Sequence, residues 1–150
     1  DYIITIKNEG DVPGYAREIY DYLPSQFDFD EKQNSGWKIN GNTLVNTSLQ
    51  NVLIEPNSSQ TVHLILTKNM DNDSTGTFIN VAEIGEDYNE KGLEDYNSIT
   101  ANRQQGENDM SDVTLIIGVK TGRVVTYIGL GIVCVTLLGI GIYIIRKKVL

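Results

Sequence analysis

Cysteine, histidine and positive charge are what this sequence has least of, and each shortage narrows the functions open to it. The single cysteine, Cys134, lies in an apolar run near the carboxyl end, so residues 1–119 have no disulfide and no thiol chemistry. The single histidine, His63, would need partners for a catalytic or metal role that the sequence does not place, and it reads as a polar-face residue of a strand. No G-x-S-x-G, H-E-x-x-H or P-loop motif occurs, which leaves an enzyme the least supported class. Residues 1–119 carry seven basic against twenty acidic side chains, a balance of −13 that repels nucleic acid and anionic lipid. Such a surface attracts divalent cations or basic partners, although a solvated exterior explains the same composition. An initiator methionine and a signal peptide are also missing, and the chain opens in a strand pattern, as the tail of a longer protein would.

What is present in quantity is apolar sequence at one end. Residues 124–145, VVTYIGLGIVCVTLLGIGIYII, hold no charged side chain in 22 positions. A helix of that length rises ~33 Å, enough for the ~30 Å hydrocarbon core of a bilayer. Tyr127 and Tyr143 stand near its two ends, where amphipathic rings favour the headgroup layer, and Arg146, Lys147 and Lys148 come directly after it. The basic cluster places the carboxyl end inside the cell and residues 1–119 outside, in a single-pass cell-membrane arrangement. Residues 120–123 form a short juxtamembrane linker, and residues 146–150 are too few to fold or signal alone. The glycines of the run, Gly129, Gly131, Gly139 and Gly141, make no G-x-x-x-G, so a dimerising helix is not indicated.

Before the run the pattern is all-β. In YIITIK, Tyr2, Ile4 and Ile6 alternate as a half-buried strand requires, and NEGDVPG after it is a turn. A second strand is expected over residues 15–23. Phe27, Phe29, Trp37 and Ile39 are expected in the core. Shorter strand patterns over residues 44–48 and 52–54 end at the Pro56-Asn57-Ser58-Ser59 turn. In TVHLILT, Val62, Leu64 and Leu66 share one face; in TFINVAEI, Phe78, Asn80, Ala82 and Ile84 do, which points Asn80 inward. Residues 85–111 turn polar and acidic for longer than an ordinary connection, the mark of a functional or partly disordered loop. Residues 112–118 return to strand with Val113, Leu115 and Ile117 on one face. Short strands with a turn signal every ~8–12 residues make a β-sandwich the natural architecture.

The order YIITIKNEGDVPG, YDYLP, a Trp-containing strand, PNSSQTVHLILT and FINVAEI resembles the repeat of prokaryotic surface proteins known as domain of unknown function number eleven. The resemblance covers nearly all of residues 1–119. It implies an immunoglobulin-like β-sandwich, strung in tandem with upstream repeats of the same chain as a stalk on a Gram-positive, Firmicute-type cell. Asn8 and Asp21 stand where a side-chain oxygen can hold a neighbouring turn, and an inward Asn80 needs partners for its amide, so all three read as fold determinants. Asn57-Ser58-Ser59 replaces a glycine common in the family.

Three motifs bear on chemistry. Residues 87–95, DYNEKGLED, have the skeleton D-x-N-x-x-G-x-x-D, similar to calcium loops of Gram-positive stalk repeats, with Lys91 where another oxygen ligand is expected. Asp87, Asn89, Asp95, Asn97, Glu107 and Asp109 are the candidate calcium ligands, with a solvated acidic loop as the alternative. Lys120-Thr121-Gly122, leading into the apolar run and basic tail, has the layout of a sortase signal, but Gly118-Val119 replaces its Leu-Pro, leaving a plain stop-transfer anchor as the rival and the cell wall as a second location. Lys7, Asn80 and Glu83 are the residue types of a Lys-Asn cross-link, and strand alternation opposes their contact. The sequence therefore points to a non-enzymatic, membrane-proximal spacer. An adhesive module binding an extracellular ligand through residues 85–111 is the alternative, for which only Tyr88 and Tyr96 supply exposed aromatics.

Overall fold

The structure is a computed structural model that describes residues 1–69, 75–95 and 97–117. Contacts divide the chain into Asp1–Ile116 and Ile117–Leu150, and the first unit holds the core. The described residues form nine strands: β1 (Tyr2–Lys7), β2 (Tyr15–Tyr22), β3 (Phe27–Phe29), β4 (Trp37–Asn40), β5 (Thr43–Asn46), β6 (Ser59–Leu64), β7 (Leu66–Lys68), β8 (Gly76–Tyr88) and β9 (Met110–Ile117). A five-stranded sheet runs β4-β5-β2-β8-β9, while β1 pairs with β6 and β3 with β7.

The fold is all-β and sandwich-like because alternation gives each sheet one apolar face, and the two faces meet. Ile6, Val62 and Leu64 from the β1–β6 pair pack with Ala16, Ile19, Trp37 and Leu44 of the five-stranded sheet, and Leu49 and Ile54 close the end. Two polar side chains fasten the layers. The Trp37 indole Nε1–H donates to the His63 carbonyl at 2.7 Å. Asn34, 3% exposed, donates from Nδ2 to the carbonyls of Asp30 and Ile65 and accepts the Ile65 amide at Oδ1. That side chain substitutes for a strand partner at the break between β6 and β7, so a buried backbone N–H is not left unpaired.

The NEGDVPG turn is built by Asn8, whose Oδ1 accepts the Gly10 amide while Nδ2 donates to the carbonyls of Val12 and Ile54. Asn57 takes φ +61°, a left-handed conformation that asparagine tolerates better than most residues. Three expectations need correction. Ile39 is 46% exposed rather than core, because β4 is an edge strand and only Trp37 at its start reaches inward. Residues 47–53 are turn and irregular chain instead of strand, leaving Ile54 in an isolated bridge to Gly14. Asp21 holds no turn: it is fully buried in the middle of β2 and takes a hydrogen bond from Asn80. On β9, which edges the sheet, Val113 and Leu115 are 48% and 37% exposed.

Asn34→Ala is expected to destabilise the domain by about 2–3 kcal/mol, because it strands the Ile65 amide as well as removing three bonds. Chemical denaturation with an unchanged m-value checks this; a loss below ~0.5 kcal/mol would show that the break between β6 and β7 is held by something else.

Candidate functional site

The long acidic stretch begins later than its composition indicates, because β8 extends to Tyr88. The segment beyond it, residues 89–109, is folded by its own polar side chains. Asn89 closes the first turn on Leu93, accepting the Leu93 amide and donating to its carbonyl, and Gly92 supplies the left-handed residue at φ +62° that the turn needs. Asp95 caps the next turn by accepting from the Asn97 amide and the Ser98 hydroxyl. Glu107 reaches back to the Ile99 amide and the Asn102 side chain, and Asn102 Oδ1 accepts the Gln104 amide. Short-range carboxylate and amide bonds thus hold the described residues of the loop without a hydrophobic core of their own.

Backbone bonds from the Ala101 amide to the Ile84 carbonyl and from the Ile84 amide to the Asp109 carbonyl tie this loop to the sheet, and one buried carboxylate reinforces them. Glu83, on the outer face of β8, is only 2% exposed. Its Oε1 accepts the backbone amides of Asn102 at 2.7 Å and Arg103 at 2.9 Å, and its Oε2 accepts the Tyr22 hydroxyl from β2. Ala101 and Arg103 take φ +60° and +57°. Two successive N–H groups turned onto one oxygen by such residues form a backbone nest, an anion-binding concavity. The Arg103 guanidinium lies 3.7 Å above the Tyr22 ring and donates to Thr43. Burial and the Glu83 carboxylate push the Tyr22 hydroxyl up to about 12, so it stays a donor. Gly85 admits the neighbouring Tyr20 ring, which a Cβ there would overlap.

Between the loop and the NEGDVPG turn lies an open cleft of roughly 700 Å³ lined by Glu9, Asp11, Asp87, Glu94, Asp95 and Asp109 among others. Lys7 pairs with the Glu9 carboxylate at 2.9 Å, and Asn108 hydrogen-bonds it as well; these bonds hold Glu9 below the usual carboxylate range. Tyr15 and Tyr88 stack at 6.0 Å on one wall, with Arg17 4.0 Å over Tyr88. Asp109 is the unusual member. Neither carboxylate oxygen has access to solvent or a hydrogen-bond partner beyond its own backbone, and desolvation, then Glu83, Glu107 and Asp95, raise it to about 6.

The six expected calcium ligands are thus distributed unevenly. Asn89, Asp95 and Glu107 direct side-chain oxygens to the loop's own backbone, Asp87 and Asn97 are exposed, and Asp109 is the one of the six whose two oxygens are shielded without a partner. Among the described residues no group of three acidic, His or Cys side chains converges closely enough to hold a metal ion. Lys7 and Asn80 do not meet: Lys7 is exposed beside Glu9, while Asn80 is buried against Asp21. His63 is exposed, 3.7 Å from Asp1. Lys120, Thr121, Gly122, the run 124–145, Arg146, Lys147 and Lys148 lie outside the described residues. Among the described residues no helix is long and apolar enough to cross a membrane.

Sequence reasoning treats Glu83 only as a cross-link candidate and passes over its tie to Asn102 and Arg103. A glutamate on the outward face of a strand ordinarily reads as solvated, and nothing in TANRQQG announces a nest. No family model, no curated protein and no solved structure matches this chain, so its site is read from its own geometry.

Glu83→Ala is expected to cost about 2–4 kcal/mol by stranding two amides and a hydroxyl, and to open residues 89–109 to protease. Glu83→Gln keeps an acceptor for the amides and is expected to lose less. Limited proteolysis and denaturant melts of the three proteins check this; equal cleavage rates would mean that the loop is held elsewhere.

Proposed function

We propose that the chain is the membrane-proximal spacer of a bacterial surface protein: an immunoglobulin-like sandwich, anchored by residues 124–145, that holds more distal domains off the bilayer. The observation that carries the reading is the adjacency, along the chain, of an all-β, disulfide-free unit whose last described strand ends at Ile117 and an uncharged 22-residue run beginning at Val124. The six residues between them reach ~20 Å at most when extended, so the sandwich would be tethered within that distance of the membrane. Arg146, Lys147 and Lys148 then keep the carboxyl end in the cytoplasm. The domain's negative balance suits this role, because anionic headgroups repel it and it does not spread on them.

The test is fractionation of cells producing the full chain. The protein is expected in the membrane fraction, released by detergent alone, and a version ending before Val124 is expected in the medium. Release only after wall hydrolysis would support cleavage at Thr121 instead, and free secretion of the full chain would overturn the anchor.

A second reading, ligand binding at the acidic cleft, is favoured by Asp109, whose two shielded oxygens lack a counter-charge. A cation at this position, calcium or a basic side chain of an extracellular partner, would supply it. Millimolar calcium is then expected to raise the melting temperature of the full chain, and Asp109→Asn to abolish the rise. An unchanged melting temperature in the wild-type protein would remove calcium as the cation.

A further inference from the structure

The least accessible polar cluster lies in the core, on the opposite side of the sheet from Glu83. Asp21 of β2 is fully buried and Asn80 of β8 is 4% exposed. Asn80 Nδ2 donates to Asp21 Oδ2 at 2.5 Å, while Asp21 Oδ1, Asn80 Oδ1 and the Tyr2 hydroxyl are all shielded from water and without a partner. The inventory of donors and acceptors is decisive here. An ionised carboxyl only accepts, and so does the remaining amide oxygen, so two buried acceptors stand side by side with the Tyr2 hydroxyl the one unused donor besides the second amide hydrogen. A proton on Asp21 Oδ1 changes this count. The acid O–H then donates to Asn80 Oδ1 while Asn80 Nδ2 donates to Oδ2, and acid and amide close a ring of two hydrogen bonds.

We propose that Asp21 is a proton-binding site between the two layers of the sandwich, neutral when paired with Asn80, and that losing this proton weakens the seat of β1. Among the described residues, no charged group is a cause of the Asp21 shift. Its register partners are Leu44 of β5 and Ala82 of β8, and Tyr2 of β1 is the titratable group that faces it. Desolvation raises Asp21 from 3.8 to about 7, opposed only by the Asn80 hydrogen bond, and burial together with the charge of Asp21 raises Tyr2. β1 is the strand that would respond, because its Tyr2 packs against the core within reach of the Asp21 charge, beside Ile4 and Ile6, while the strand's described ladder runs only to β6.

Linkage sets the sign. The folded state holds the proton between about 3.8 and about 7, where the opened chain has released it. The contribution of Asp21 is therefore full below about 3.8 and is lost as pH rises through about 7, beyond which it is constant.

The experiment is site-resolved NMR on the full chain in non-ionic detergent micelles. The Asp21 carboxyl carbon is expected to titrate near 7, and protection of the β1 amides, corrected for intrinsic exchange, to fall about tenfold per pH unit up to that point and then level off. Asp21→Asn is expected to remove the pH dependence of β1 while leaving the Glu83-bonded loop amides unchanged. A carboxyl that stays ionised down to about pH 5, or a β1 protection that ignores its titration, would overturn the proposal. The wild-type titration decides the matter even if the variant fails to fold.

Discussion

The carboxylate of Glu83 is the constraint on which the outer half of this domain depends. Removing a carboxylate from water is unfavourable by several kcal/mol, and the left-handed residues Ala101 and Arg103 add roughly 1–2 kcal/mol each. Against this stand three charge-assisted hydrogen bonds at about 1.5–3 kcal/mol each and the stacking of Arg103 on Tyr22. The two sides are of similar size, so the gain is in position more than in stability. The loop of residues 89–109 is held at one place over the sheet, and the acidic cleft beside it takes a defined shape.

The sandwich beneath is held by different means on its two faces. Inside, Ile19, Leu44, Leu64 and Trp37 are almost fully buried, and the Trp37 and Asn34 hydrogen bonds fix how the layers meet. Outside, the loop contributes few buried apolar groups and relies on short polar bonds, each worth about 1 kcal/mol. Such a cover has less cooperative support than the core and is where ligand-dependent change would occur.

The strands that pack were legible in the sequence because burial imposes a period of two: Tyr2, Ile4 and Ile6 in β1, and Val62, Leu64 and Leu66 across β6 and β7, lie on the face that alternation assigns. Inward Asn80 was legible for the same reason. Ile39 was misread because alternation reports which face a residue takes, not whether a layer covers it. Glu83 was invisible for a related cause: its cover comes from residues nineteen and twenty positions away, brought by a loop that no periodicity describes. The calcium-like skeleton showed which residues are oxygen donors but not where the donated electrons go, and in Asn89, Asp95 and Glu107 they go to the loop's own amides.

The central claim, that the acidic loop is part of the folded unit through Glu83, is tested most directly by native-state hydrogen exchange at two amides. If the nest exists, Asn102 and Arg103 exchange far more slowly than exposed neighbours such as Gln105 and approach the protection of β2. Exchange of both at the rate of an unstructured peptide would contradict it.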